Sequence, residues 1–305
     1  MNFTYKLKKY FNNIVLRTPG VNFLKKTSNS KKKKNYINFW INRAKANNNI
    51  YNFFFKTAGL EKKNTIRFLP DKNFLVSEEI FTSLADNGLI IIENALPLDE
   101  REKIISYLDD LKNIKKKFNW LETTFSTTRN NETSLNVGVP DIKNFPILRN
   151  YSDQFTKKIY GKNVSPSVQF HYLKLLNYIE QDKIRGETYL HSDRFLPNFK
   201  IFYSPYGISS GDAPFRFCLG SHKINDEYLN FFENSCYFDE TDINCRKIMD
   251  NKKVEIVTVN SNTLYLCFTN GIHSRSPFLN RNSERYMVFL QYVERFNKLD
   301  YLLSW

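Results

Sequence analysis

The sequence predicts a mainly β, α+β domain: a sandwich or barrel of short strands with its early helices packed outside. Two observations carry that expectation. From Ser167 onward, β-rich runs follow one another at short spacing: Val168 to Ile179, Asn198 to Tyr203, Phe215 to Leu219, Val254 to Val259, Thr263 to Phe268 and Tyr286 to Val293. Turn material such as Ser-Ser-Gly-Asp at 209–212 and Asn-Ser-Asn at 260–262 separates them, and strands spaced in this way close into a sandwich or barrel. Ahead of them lies a helix–strand–helix pattern. Ser77 is a good N-cap with Glu78 and Glu79 in the first turn, Ile80, Phe81 and Leu84 follow at helical spacing, and Gly88 suits the end.

Leu89 to Glu93 reads as a short buried strand. Asp99 with Glu102 three residues on makes a capping-box signal for a second helix, whose Ile104, Ile105, Leu108 and Leu111 share one face. Residues 118–146 carry Thr, Asn and Ser with little periodicity and predict loops or a lid. The character of the chain changes near residue 75. Before it lie an aromatic, Lys/Asn-rich stretch, one expected helix around Tyr36 to Lys45 and a stop at Pro70. The expected division is a basic, aromatic-rich extension over 1–76 with a Lys-rich linker, and a domain over 77–305.

A chain of 305 residues can bury a substantial core, and 41% hydrophobic with 16% aromatic residues is the composition of a folded protein. No apolar run reaches the roughly 18 residues of a membrane-spanning helix. The basic start lacks the compact apolar stretch and cleavage site of a secretory signal. A net charge of +14 raises the question of nucleic acid or anionic membranes. Lys, however, comes with abundant Asn, Ile, Phe and Tyr along the whole chain, as an AT-rich coding sequence would give. The concentrated run, Lys31 to Lys34, sits in a Ser/Asn-rich stretch typical of a solvated linker. No specific nucleic-acid partner is expected. Cys218, Cys236, Cys245 and Cys267 show no CxxC or CxH spacing. They fit a reducing, cytoplasmic setting, as small apolar residues.

The four histidines are His171, His191, His222 and His273. In TYLHSDRF, His191 and Asp193 are two apart, and in an extended segment such residues project to one side, so imidazole and carboxylate can converge on one ion. His273, in NGIHSRSPF just past the run Thr263 to Phe268, can be carried beside them by a loop. Two His and one carboxylate on one face leave open coordination positions, which is the facial triad of Fe(II) oxygenases. Zinc is more often given another ligand set. Such a site needs a chelating co-substrate. 2-Oxoglutarate chelates through its keto oxygen and adjacent carboxylate, and its distal carboxylate calls for a cation, best an Arg fork. Arg285, at the start of an apolar strand, is well placed, with Arg281 and Arg275 as competitors. Tyr172 and Lys174 alternate along their run and are candidates to face the cavity. His171 reads as a structural histidine in a strand.

Three stretches together resemble the phytanoyl-CoA dioxygenase-like family of Fe(II)/2-oxoglutarate oxygenases. They are HSD at 191–193, APFRFCLGSHK at 213–223 beside that family's Gly-Pro-Phe and Pro-Gly-Ser-His-Lys segments, and GIHSRSPFLNRNSERYMVFLQYV at 271–293. The opening LADNGLIIIENALPLDEREKIISYL resembles the family's first helix–strand–helix, and the whole spans roughly residues 77 to 296. The resemblance implies a double-stranded β-helix (jelly roll, cupin-like) core with iron at its mouth. It implies Fe(II), 2-oxoglutarate and O2 as requirements, and a small-molecule substrate that the sequence does not identify. Because Asp193 retains the carboxylate that related halogenases lose, it implies hydroxylation. It makes His222 a loop residue that supports the fold. Leu219 and Ala213 depart from the family's Pro and Gly. A non-catalytic β-helix protein that keeps the pocket for ligand binding or assembly is the competing expectation.

Overall fold

The computed structural model describes residues 38, 41, 42, 44–56, 65–113, 125–129, 132–139, 142–164, 166–175, 190–192, 198–226, 228, 229, 252–276 and 284–292. Their strands form two sheets. The larger contains β1 (Arg67–Phe68), β2 (Leu89–Ile92), β3 (Phe125–Arg129), β4 (Glu132–Val139), β5 (Ser167–Leu175), β6 (Phe199–Ser204), β9 (Thr263–Phe268) and β11 (Glu284–Tyr292), in the order β1-β2-β9-β6-β11-β5-β4-β3. The smaller contains β7 (Phe215–Cys218), β8 (Val254–Val257) and β10 (His273–Arg275), in the order β10-β7-β8. All pairings are antiparallel except β1 with β2. Helices α1 (Asn48–Phe54), α2 (Glu78–Asn87), α3 (Leu98–Asn113) and α4 (Pro146–Tyr160) complete the domain. It is an α+β architecture.

Alternation along the strands divides the interior in two. In β9, Leu264, Leu266 and Phe268 join the cluster that contains the helices' Leu84, Ile104, Leu148 and Phe155, whereas Tyr265 and Cys267 join the other. β2 splits the same way, Ile90 and Ile92 against Leu89 and Ile91, as does β11, with Val288, Leu290 and Tyr292 against Met287. Because successive strand side chains leave opposite faces, one face of the large sheet packs on helices and the other on Phe215, Phe217 and Val257 of the small sheet. A sheet covered on both faces reads as a continuous apolar run. That is why β2 is LIII and β9 is buried throughout.

The expected helix from Ser77 is present: the Ser77 hydroxyl accepts from the Ile80 amide at 3.3 Å, and Gly88 closes the helix at φ +75. The second helix starts one residue earlier than its capping-box signal, so Asp99 lies within the first turn of α3. Helix α4 is not announced by the β-run spacing. Pro146 at its start, Leu148, Tyr151, Phe155 and Ile159 on one face, and Gly161 at φ +75 after its end are nonetheless its sequence signal. Its N-terminus lacks a side-chain cap from Phe145. Instead, buried Glu100 of α3 accepts from the amides of Ile147 and Leu148, both at 2.8 Å. Burial raises the Glu100 pKa, against the pull of those two amides.

The Thr-rich stretch expected to be loop holds β3 and β4, which pair with each other and with β5. Backbone pairing to a neighbouring strand, not an apolar alternation, makes these residues extended. Described residues ahead of the expected boundary at 76/77 pack with those beyond it. Phe53 and Phe54 belong to the main core, with the Phe54 and Phe268 rings 4.4 Å apart, and β1 extends the large sheet. Lys223 donates to the carbonyls of Phe53 and Lys56 at 2.9 and 2.8 Å, tying the end of α1 to the loop after β7. The stretch around Tyr36 to Lys45 is described only in part, with helical backbone at 38, 41, 42, 44 and 45.

Gly88 meets two demands at once. Its φ lies in the left-handed region, and a Cβ there would fall onto the ring of His222. A Gly88→Ala variant is expected to lose about 2–4 kcal/mol of stability, from the left-handed backbone and the overpacked contact together. Urea denaturation followed by circular dichroism measures this; a midpoint equal to the parent's would show that the loop shifts at no cost.

Candidate metal centre

β9 ends at Phe268, and the chain turns through Thr269 to Ile272 before His273 opens β10. The turn is tight: the Gly271 amide donates to Phe268 O at 2.8 Å. A Cβ on Gly271 would stand 2.7 Å from Phe217 Cζ and 3.0 Å from Ser221 Oγ, so a residue without one is required. Ser221 Oγ donates to Cys218 O at 2.6 Å and accepts from the Ile272 amide at 2.8 Å, while the Cys218 amide donates to Ile272 O at 2.9 Å. The turn that carries His273 is thereby sewn to the end of β7. Sequence reasoning missed Ser221 and Gly271; the Asn-Gly pair directly before Ile-His was the available signal.

His273 then pairs with Phe217, and their side chains share the inner face of the small sheet. The imidazole is 5% exposed and lies 5.4 Å, centroid to centroid, from the Phe215 ring. Its Nδ1 is 2.9 Å from Gly271 O. A carbonyl can only accept, so Nδ1 carries a proton, which leaves Nε2 as the nitrogen through which the ring would meet a metal ion. An outer hydrogen bond of this kind orients metal-binding imidazoles.

His191 meets His273 in an isolated antiparallel bridge. Each amide donates to the other residue's carbonyl at 2.7 Å. Directly opposed residues project to the same side, and the two imidazole centroids are 4.6 Å apart with planes inclined by 48°. The structure thus brings together two of the three residues expected to bind a metal. The third, Asp193, lies outside the described residues, next to the described Ser192. Phe202, Phe215, Phe217 and Tyr265 supply an apolar surround between the sheets.

Arg285 lies on the same face of β11 as Met287, which packs in the core between the sheets. It is 6% exposed, and its Nη1 donates to Ala213 O, just ahead of β7. Tyr265 feels its charge, and donates its hydroxyl to Met287 Sδ at 3.2 Å. Arg275 stands two residues beyond His273, paired with Phe215 on the small sheet and half-buried. Arg281 lies outside the described residues.

The β5–β11 register gives the strand partners of Tyr172 and Lys174. They pair with Tyr286 and Glu284, whereas Arg285 pairs with Leu173 and Met287 with His171. The positions in step with Arg285 are therefore 171 and 173. Sequence alternation gives the period of a strand but not which of its two sets faces in.

His222 takes the supporting role expected of it. It is fully buried between Phe54 and Phe268, with Nε2 3.0 Å from Ala85 O. Burial, aided by Lys223, holds its pKa well below the ordinary histidine range. Burial likewise lowers Lys223 to about 8, against the pull of Asp86, and raises Cys218 to about 11. Below the ordinary histidine range the unfolded chain takes up a proton that folded His222 refuses. Stability therefore rises with pH through that window and is fully present above it. Taking the protein from pH 7.5 to pH 5 is expected to remove up to about 1.4 kcal/mol per pH unit below about 6.5 through this group. His222→Gln, which can keep a donor toward Ala85 O, should flatten that part of the curve. Denaturant midpoints at each pH check it, and an equal slope in parent and variant would assign the acid sensitivity elsewhere.

No protein-family model matches the chain, and no curated protein matches it. Among solved structures it is similar to the epimerase SnoN in complex with Fe3+, alpha ketoglutarate and nogalamycin RO, with 10% identity, 71% of this chain and 82% of that chain covered, and a TM-score of 0.48. It is also similar to the non-heme alpha ketoglutarate dependent carbocyclase SnoK from nogalamycin biosynthesis, with 14% identity, 73% and 86% covered, and a TM-score of 0.49. A third is HygX from Streptomyces hygroscopicus with nickel and 2-oxoglutarate bound, with 15% identity, 73% and 89% covered, and a TM-score of 0.40. At TM-scores below 0.5 such overlap leaves the activity to be read from the site itself. Among the described residues, no helix is long and apolar enough to cross a membrane.

Proposed function

We propose that this protein is an Fe(II)- and 2-oxoglutarate-dependent dioxygenase of the phytanoyl-CoA dioxygenase-like kind, which hydroxylates a small molecule with release of succinate and CO2. The observation that carries the reading is the His191–His273 bridge, with rings 4.6 Å apart and Nδ1 of His273 committed to Gly271 O. Two imidazoles presented side by side in an apolar surround suit a divalent transition metal, and the carboxylate of Asp193 is the natural third ligand. The chain's passage from β6 to β7 and β8, back to β9, across to β10 and back to β11 supports a double-stranded β-helix as the core.

In this reading His191, Asp193 and His273 hold the iron and take no part in proton transfer. The bound metal supplies activation of dioxygen at the expense of the oxoacid. Gly271 O keeps the His273 tautomer that leaves Nε2 for the ion. Arg285, on the inner face of the large sheet, receives the distal carboxylate of 2-oxoglutarate through its planar fork. Arg275 is the alternative from the opposite sheet. Phe202, Phe215 and Phe217 keep bulk water from the reacting centre. Asp193 in place of a small residue favours hydroxylation over halogenation.

The test is an anaerobic titration with Fe(II) and 2-oxoglutarate, followed in the visible region for the weak charge-transfer band of the chelate. The parent is expected to show the band, and His273→Ala and Asp193→Ala to lose it. Arg285→Gln should need at least about tenfold more 2-oxoglutarate, since truncating one partner of a buried charge pair costs 2–5 kcal/mol. A parent that binds metal without ever showing the band overturns the oxygenase reading in favour of a non-catalytic binding protein.

A further inference from the structure

The two backbone hydrogen bonds of the His191–His273 bridge lie outside any strand ladder. His273 is also held by the β10–β7 ladder, whereas for His191 an isolated bridge fixes one point of contact, and an imidazole vector set only by that bridge would be loosely aimed. A second tether lies close by. Ser192, the residue after His191, is 7% exposed, and its hydroxyl donates to Asn270 O at 2.9 Å. Asn270 opens the Asn-Gly turn that leads to His273. The same carbonyl accepts the Tyr228 hydroxyl at 2.7 Å, and the Asn270 side-chain amide donates to His222 O at 2.9 Å. Asn270 and Tyr228 are fully buried. Burial raises the Tyr228 pKa well above its usual range, so this hydroxyl stays a neutral donor at any working pH.

Resting on the metal-centre reading above, we propose that Ser192, Tyr228 and the Asn270 carbonyl form a latch that sets the mutual aim of His191 and His273. The alternation of an extended segment supports it: Ser192 leaves the face opposite to that of His191, so a tether there holds the segment that bears His191 from behind. Tyr228 joins the segment following the 220–223 turn to the same oxygen, so two segments converge on one acceptor in a third. Ser192 and Tyr228 are positioning residues; neither touches the metal.

The experiment uses the full chain and Co(II) as probe metal, because its visible ligand-field bands report ligand geometry as well as occupancy. Ser192→Ala and Tyr228→Phe each delete one hydroxyl without adding volume. Each is expected to weaken Co(II) binding about 10–100-fold, the usual effect of removing an outer-shell partner, and to shift the bands. The melting temperature without metal should fall only slightly, as for the loss of one neutral hydrogen bond. Ser192→Thr, which retains the hydroxyl, should restore both affinity and spectrum. If both deletions lower the melting temperature while Co(II) affinity and bands match the parent's, the network serves the fold alone and the latch is overturned. If the parent binds Co(II) no better than His273→Ala, the metal-centre reading itself fails, and the latch with it.

Discussion

Two backbone hydrogen bonds of 2.7 Å, exchanged between His191 and His273, bring together residues far apart in the chain, and the arrangement of the site depends on them. Each histidine alone is an ordinary strand or loop residue. Once their backbones are paired, the imidazoles must emerge on one side, because directly opposed residues of an antiparallel pair always do. The packing behind His273 serves to keep that pairing where it is. Gly271 lets the turn approach Phe217, Ser221 bridges the turn to β7, and Gly271 O fixes which imidazole nitrogen carries the proton.

A sheet covered on both faces makes this possible. Helices α1 to α4 bury one face, so the other is free to pack against the small sheet and to present Arg285, Tyr265 and Met287 toward it. The segment before residue 77 takes part in this cover. Phe53 and Phe54 pack on Phe268 at the end of β9, immediately before the turn that bears His273. Lys223 caps the same helix from the loop after β7. Support for the site therefore extends into a stretch whose Lys- and Asn-rich composition reads as peripheral. Composition there reports the exposed faces of the helix more than the few aromatic residues that face the core.

The candidacy of His191 and His273, which the fold brings together, was legible because its signals are local: a short extended segment for the first, and for the second a turn after an apolar strand. Helix α2 was marked at both ends by Ser77 and Gly88. What escaped is non-local in each case. β3 and β4 are strands because β5 lies beside them. Asn270 matters through its peptide carbonyl, and a carbonyl has no residue signature. That Arg285 pairs with Leu173, and Tyr172 and Lys174 with Tyr286 and Glu284, is likewise a matter of register, which alternation along one strand does not contain.

The sequence by itself determined the residue types that can hold a metal, the period and extent of the main strands, and the burial of β2 and β9 as unbroken apolar runs. These follow from side-chain chemistry and from backbone geometry repeating over a few residues. Only the tertiary structure decided which face of β11 carries Arg285, that His191 and His273 exchange backbone hydrogen bonds, and that Phe53 and Phe54 belong to the core. Register and packing are relations between segments distant in the chain, and the free energy that selects among them comes from burying both faces of a sheet at once, a quantity no single segment contains.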